Sequence, residues 1–238
     1  MSNPDRSADF DVYLRPTSFI DSDHPDVRDY AIDLTRGATT DQDKALAIFY
    51  PVRDDFLYSP YGVVARRRAM TASYTLKRGT GFCVQKAVLL AAAARAVGVP
   101  ARLAFADVRN HLSTKRLRAL MDTDLFIWHG YTELYLDDRW VKATPAFNLA
   151  LCERFGVVPL DFDGRTDSIL QEYDRDGRRH MEYVADRGAY ADLPFDEMFD
   201  DFKALYPRWL EEPGSNAETS PEEDFYSEAA QENRTTAE

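Results

Sequence analysis

Cys83 is the residue whose type and position best suit a nucleophile. It follows the glycine-containing stretch at residues 78–82 and begins a long apolar run that stops at Gly98 and Pro100. This run predicts a buried helix. A cysteine in the first turn of a helix faces unpaired backbone N–H groups and the positive end of the helix dipole, which favour a thiolate and can bind an oxyanion. We therefore interpret Cys83 as a catalytic nucleophile, the alternative being a small buried core residue.

A thiol nucleophile needs a base that takes up its proton and later protonates the leaving group. Four histidines are available: His24, His111, His129 and His180. His129 is the strongest candidate because it follows Trp128 at the predicted start of a strand and precedes Gly130. Gly130, like Gly79 and Gly81 before the cysteine, is expected to leave room for a substrate. The alternative for His129 is a strand histidine whose ring nitrogens bond to neighbours.

A catalytic histidine is commonly oriented by a third residue. The strand predicted at residues 139–144 carries no acid at its end, and the polar residues there are Thr144 and Asn148. An asparagine orients the imidazole in Cys–His–Asn sites, and a threonine hydroxyl can accept from the ring N–H more weakly. Three options stay open: Asn148, Thr144, or no third member.

These motifs resemble the transglutaminase-like superfamily of papain-type folds. The resemblance covers residues 40–148 and rests on four segments: Gly81-Phe82-Cys83, RAVGVPAR at 95–102, HGYTE at 129–133 and WVKATPA at 140–146. Thr144 lies where the superfamily has an aspartate, and Tyr131 lies where it has a tryptophan. The resemblance implies an acyl transfer in which Cys83 forms a thioester with a peptide or protein carboxamide and His129 moves the protons.

The surrounding pattern predicts an α+β fold, with the buried cysteine helix packed against an antiparallel sheet that carries the histidine. Thr40 and Asp43 have the spacing of a capping box that opens a helix, which Pro51 is expected to bend or restart. The predicted strands are Ala101–Val108 and a hairpin of Trp128–Leu136 with Arg139–Thr144, joined by a turn at Asp137-Asp138. Residues 109–124 predict a polar crossover with one helical turn. Further elements are a short helix at Leu149–Phe155, a strand near 180–188 and a helix at Leu193–Leu210.

The chain divides into four predicted parts. Residues 1–24 are an N-terminal arm, extended where Phe10, Val12 and Leu14 alternate with polar positions. Residues 25–150 are the core, and residues 151–213 are a C-terminal extension packed on it. Residues 214–238 are an acidic tail of Ser, Thr, Glu and Asn, for which disorder is expected.

Composition excludes several classes of partner. The net charge is −12, and the tail's seven acids and one base contribute half of it. This sign disfavours nucleic-acid binding. The cysteine helix is too short and too charged for a membrane span, and no secretory signal is visible at the N-terminus. With two cysteines, Cys83 and Cys152, a disulfide framework is not expected, and a cytoplasmic location fits.

No cofactor or metal is expected. Asp107 and His111 lie near each other in sequence but lack a third well-spaced ligand, and no loop has the dense oxygen ligands that calcium needs. The predicted function is cysteine-dependent acyl transfer or amide hydrolysis on a peptide or protein carboxamide. The competing prediction is an inactive module of the same fold that binds peptides or proteins. The sequence does not decide whether water or an amine accepts the acyl group. It also does not give the oligomeric state.

Overall fold

The computed structural model describes residues 10–211 and 225–231. The helices are α1 (Pro25–Leu34), α2 (Asp41–Asp54), α3 (Ala72–Arg78), α4 (Cys83–Ala96), α5 (Lys115–Met121), α6 (Leu149–Phe155), α7 (Phe195–Leu205), α8 (Pro207–Glu211) and α9 (225–231). The strands are β1 (Leu57–Tyr58), β2 (Thr80–Gly81), β3 (Ala101–Asn110), β4 (Leu125–Leu136), β5 (Arg139–Ala143) and β6 (Met181–Tyr190). The predicted α+β class is confirmed.

Helix α4 is the centre of the core. Every residue from Cys83 to Arg95 is buried, because the helix packs on the sheet and on α1, α2 and α3. Thr132 of β4 donates its hydroxyl to the Ala87 carbonyl at 2.8 Å, which joins strand and helix directly. The predicted end of the helix is confirmed. The Val99 N–H bonds to the Ala94 carbonyl at 3.0 Å and so caps the last turn.

The main sheet is antiparallel, with strand order β5-β4-β3-β6. The β4–β5 hairpin turns at Asp137 and Asp138, whose φ angles of 47° and 65° are those of the predicted tight turn. Strand β6 pairs with β3 from Leu103↔Tyr190 to Asn110↔Met181. The C-terminal extension therefore completes the sheet as well as packing on the core.

Several predicted elements differ in the structure. Residues 10–14 form a helical turn and not an extended arm, because the Phe10 ring packs 4.3 Å from the Tyr135 ring on the hairpin. Helix α2 keeps its predicted capping box but runs through Pro51 without interruption. The neighbouring Val52 and Arg53 are buried there, so tertiary packing outweighs the helix-breaking tendency of proline.

Later in the chain, the polar crossover holds the seven-residue helix α5 and not a single turn. Strand β4 begins at Leu125, three residues before the predicted start. The helix predicted at 193–210 is broken at Tyr206, because this residue precedes Pro207 and its hydroxyl bonds to the backbone of β4.

The prediction of disorder is wrong for residues 225–231. This segment is helical and buries Phe225, Tyr226 and Ala229. The Phe225 ring lies 5.8 Å from the ring of Tyr58 and 5.6 Å from that of Tyr61. The prediction is based on the average composition of the tail, which is acidic and polar although it includes these three apolar residues. The rest of the tail and residues 1–9 lie outside the described residues, and the division into four parts stays a prediction. In the described part of the chain, no helix is long and apolar enough to cross a membrane.

One buried cation ties α4 to its surroundings. Lys86 is fully buried, and its ammonium group donates to the carbonyls of Arg53, Phe56 and Ala146 at 2.8, 2.6 and 2.8 Å. Burial lowers the pKa of Lys86 to about 7. The three acceptors match the three donors of an ammonium group. Lys86 thus fixes the segment after β5 and the end of α2 against the cysteine helix.

Replacing Lys86 is expected to be strongly destabilising. Lys86→Met leaves three buried carbonyls without their donor, so the free energy of unfolding in urea should fall by about 3 kcal/mol or more. The matched control is Lys77→Met on the exposed face of α3, which should change that free energy by about 0.5 kcal/mol or less. Equal effects of the two substitutions would contradict this account.

Candidate active site

Cys83 is the first residue of α4. Phe82, at the N-cap, has no side-chain acceptor, so the amides of the first turn are not capped by it. The Gln85 side chain instead accepts from the Phe82 N–H at 3.2 Å and fixes the entry of the chain. Strands β1 and β2 pair in parallel, with Tyr58 opposite Gly81, and hold the segment before the cysteine.

Two of the three glycines near the site, Gly81 and Gly130, allow close packing of the protein. A Cβ atom on Gly130 would lie 2.9 Å from the Cα of Val84, and one on Gly81 would lie 3.0 Å from the Cβ of Gln85. Gly79 has a φ of 74° and ends α3. The expectation that glycines leave room for a substrate is therefore wrong for Gly81 and Gly130, whereas a Cβ atom on Gly79 would meet no atom within 4 Å. The space beside Gly81 and Gly130 is filled by α4 itself.

His129 and Cys83 line one cavity. His129 lies on β4 opposite Ala106 and is 7% exposed, while Cys83 is 8% exposed. The Nε2 atom of His129 is buried and has no hydrogen-bond partner among the described residues. This buried nitrogen is therefore available to a partner that arrives with substrate, or to a third residue after a local rearrangement.

Thr144 and Asn148 are both buried, and they differ in their partners. The Thr144 hydroxyl, like the Nε2 atom of His129, has no partner in the described part of the chain. The Oδ1 atom of Asn148 accepts from the Tyr58 N–H at 3.3 Å and from the Tyr226 hydroxyl. Asn148 therefore joins β1 to α9, and its catalytic role and that of Thr144 stay predictions.

Burial dominates the electrostatics of the site. It raises the pKa of Cys83 to about 11, although the backbone amides of Gly130, Val84 and Cys83 itself act in the opposite direction. Burial also lowers the pKa of His129 to about 4. Both shifts favour the neutral forms at pH 7. Loss of hydration thus acts against the thiolate that the helix terminus is expected to favour, and the resting charge state of Cys83 stays a prediction.

The walls of the cavity are mainly apolar, with Tyr58, Asn110, Cys83 and His129 among the polar side chains. No charged side chain contributes to the lining in the described part of the chain, and the indole N–H of Trp209 and the hydroxyl of Tyr206 bond to protein backbone. The lining residues are Tyr58, Pro60, Phe82, Cys83, Val108, Asn110, Leu117, Met121, Phe126, Ile127, Trp128, His129, Phe147, Met181, Phe202, Tyr206 and Trp209. Sequence reasoning missed Phe202 and Trp209 as part of this lining, since an aromatic helix face indicates burial without saying what it covers. It also missed Tyr58, which lies on the two-residue strand β1.

Other residues considered as site candidates lie apart from this pair. The His111 Nε2 atom is 3.5 Å from Glu182, and Cys152 is fully buried, with its sulfur 3.8 Å from the Phe147 carbonyl. Among the residues that the structure describes, no three His, Cys, Asp or Glu side chains are grouped to hold a metal ion.

Comparison with known proteins gives a family match for the core and similarities to two solved structures. Residues 28–145 match the sequence model of the transglutaminase-like superfamily, and through this core the chain belongs to that superfamily. A proposed cysteine protease from Cytophaga hutchinsonii is similar at 18% identity and a TM-score of 0.47, over 79% of this chain and 57% of that one. A proposed protease from Parabacteroides distasonis is similar at 19% identity and a TM-score of 0.37, over 57% of this chain and 25% of that one. The chain thus spans less than two thirds of either structure, and no curated protein matches it.

The pKa of Cys83 predicts the pH dependence of its alkylation. Only the thiolate reacts, so with a pKa of about 11 the rate with iodoacetamide should rise about tenfold per pH unit between pH 7 and 10. Mass spectrometry of the labelled peptide measures this rate. A plateau from pH 5 to pH 8 would instead indicate a resting thiolate–imidazolium pair.

Substitutions of Thr144 and of Asn148 should have different effects on stability and on the acylation of Cys83. Thr144→Val removes a buried hydroxyl that has no partner within the described residues, so stability should hold while acylation of Cys83 slows if that hydroxyl orients His129 on substrate binding. Asn148→Ala removes the acceptor of Tyr58 and Tyr226 and should cost about 1–3 kcal/mol of unfolding free energy. Urea unfolding and the acylation rate together check both. If Thr144→Val acylates Cys83 at the wild-type rate, Thr144 is not the third catalytic residue.

Proposed function

We propose that Cys83 and His129 act as a catalytic dyad in acyl transfer from a peptide or protein carboxamide. The observation that carries the proposal is their position on one apolar cavity, with the cysteine at the N-terminus of a buried helix. As substrate enters, His129 accepts the thiol proton and the sulfur attacks the carbonyl carbon. The oxyanion then faces the first-turn amides, and His129 protonates the leaving amine. A thioester on Cys83 remains.

The proton transfer fits the neutral resting pair. A buried thiol and a buried imidazole avoid the cost of isolated charges until the substrate carbonyl is in place. The charges then form next to each other and next to the first-turn amides. The acceptor of the thioester is water in a hydrolase and an amine in a transferase, and the access of water to the cavity decides between them.

The cavity favours an apolar group beside the reacting carbonyl. Its volume is about 50 Å³. Since one water occupies roughly 10 to 15 Å³ of such space, the cavity holds about three to five non-hydrogen atoms, the size of an aliphatic side chain. The hydroxyl of Tyr206 and the indole N–H of Trp209 already bond to backbone, so the polar partners for a substrate group there come from Tyr58, Asn110, Cys83 and His129.

A second candidate function is an inactive module that binds peptides in the same cleft. Two observations favour it: Thr144 takes the place of the superfamily's aspartate, and the Nε2 atom of His129 has no partner among the described residues. Such a protein would hold an apolar peptide beside Cys83 without forming a thioester.

Acylation by p-nitrophenyl isobutyrate separates the two functions. The ester supplies a small apolar acyl group, and we expect its transfer to Cys83, observed by mass spectrometry and release of p-nitrophenol. Cys83→Ala should abolish this adduct, and His129→Gln should slow its formation by a factor on the order of 100, since it removes the general base. The decay of the adduct in water and in the presence of an added amine then measures hydrolysis against transfer.

The buried Cys152 is the internal control for non-specific acylation. Acylation of Cys83 that is no faster than that of Cys152, or that does not depend on His129, would support the binding module and contradict the enzyme.

A further inference from the structure

Strand β4 is irregular directly before the catalytic histidine. Ala106 pairs with His129 and Val108 pairs with Phe126, so a single residue of β3 lies opposite two residues of β4. This is a β-bulge, and its two residues are Ile127 and Trp128. Trp128 has a φ of 57°, a left-handed conformation that is uncommon for a residue with a large side chain.

Side chains satisfy both backbone donors of the bulge. The Ile127 N–H donates to the hydroxyl of Tyr206 at 2.8 Å, and that hydroxyl donates to the Leu125 carbonyl at 2.7 Å. The Trp128 N–H donates to the Oδ1 atom of Asp107 at 3.1 Å. Asp107 is the residue of β3 that faces the bulge, so its carboxylate replaces the carbonyl that a regular ladder would supply.

The Trp128 ring is held as firmly as its backbone. Its indole N–H donates to Asp201 of α7 at 2.8 Å, and the guanidinium of Arg187 lies 4.6 Å from the ring centroid. Arg187 of β6 also pairs with both acids, through its Nε atom with Asp107 and at 2.6 Å with Asp201. We call Asp107, Arg187 and Asp201 the Trp128 clamp.

We propose that the Trp128 clamp positions His129 for its reaction with Cys83, with Asp107 as the principal positioning residue. The inference rests on the proposed dyad. His129 is the next residue after Trp128, so the backbone torsions of Trp128 set the direction in which β4 delivers the imidazole. Two of the three clamp residues lie beyond residue 145, outside the superfamily core. The C-terminal extension therefore takes part in building the site.

Loss of the clamp should lower the acylation rate of Cys83 more than it lowers the stability of the fold. Without Asp107, the Trp128 N–H loses its acceptor and the left-handed conformation loses its support. The bulge can then relax toward regular pairing. A change of register by one residue turns strand side chains to the opposite face, so even a partial shift moves the imidazole away from the sulfur. A displacement of about 1 Å at a reacting group can cost about 100-fold in rate.

The chain offers a matched control on the same two strands. Arg102 of β3 and Glu133 of β4 form an ion pair of 2.6 Å, four residues beyond His129. The side chain of Glu133 is 8% exposed and that of Asp107 is 14% exposed. Glu133→Gln weakens β3–β4 pairing without touching the bulge. A purely structural role for Asp107 predicts that the two sites behave alike.

The test compares Asp107→Ala, Asp107→Asn and Glu133→Gln in the full chain, using the acylation of Cys83 by p-nitrophenyl isobutyrate and the melting temperature. Asp107→Ala should slow acylation by a factor on the order of 100. Asp107→Asn keeps an acceptor for the Trp128 N–H and should recover most of that loss. Glu133→Gln should stay within about twofold of the wild-type rate.

Equal rates in Asp107→Ala and Glu133→Gln, at temperatures where both are folded, would overturn the proposal. NMR of the His129 imidazole provides a readout that does not need catalysis. Its ring signals should shift in Asp107→Ala and stay in place in Glu133→Gln. If wild-type Cys83 is not acylated, the proposed dyad fails, while unchanged ring signals in Asp107→Ala would refute the clamp by themselves.

Discussion

The site depends on one close contact, that between the first turn of α4 and strand β4. A Cβ atom on Gly130 would meet the Cα of Val84 at 2.9 Å, so no other residue fits there without displacing the helix or the strand. The bond from Thr132 to the Ala87 carbonyl repeats the contact one turn further along. Because Gly130 follows His129 and Val84 follows Cys83, this contact also brings the two reactive side chains to a common cavity.

The same contact sets the charge state of the site. Burial by this packing raises the pKa of the thiol and lowers that of the imidazole, so both shifts favour the neutral forms. The neutral pair stabilises the resting fold, since an isolated buried charge is costly. In the proposed reaction, both charges therefore develop together within the complex with substrate, next to the first-turn amides.

The parts of the chain outside the superfamily core are parts of the site. Strand β6 completes the sheet next to β3, and α7 and α8 supply Phe202 and Trp209 to the cavity wall. Phe225 of α9 packs on Tyr58, which lines the cavity with the cysteine. Local patterns predicted most of these elements as helices or strands. They carried no information on which surface each element covers, because an apolar face fits any apolar partner.

The sequence by itself determined the cysteine helix, its N-terminal residue, its end at Gly98, the hairpin turn at Asp137 and the histidine strand, since each follows from local propensity, periodicity or motif spacing. Only the tertiary structure decided the role of Gly130, the partners of Asn148 and the bulge before His129. These depend on residues far apart in the chain. Desolvation likewise depends on everything that surrounds a group. The sequence of a helix-start cysteine therefore predicts a thiolate, while burial in the folded protein raises the pKa of that thiol.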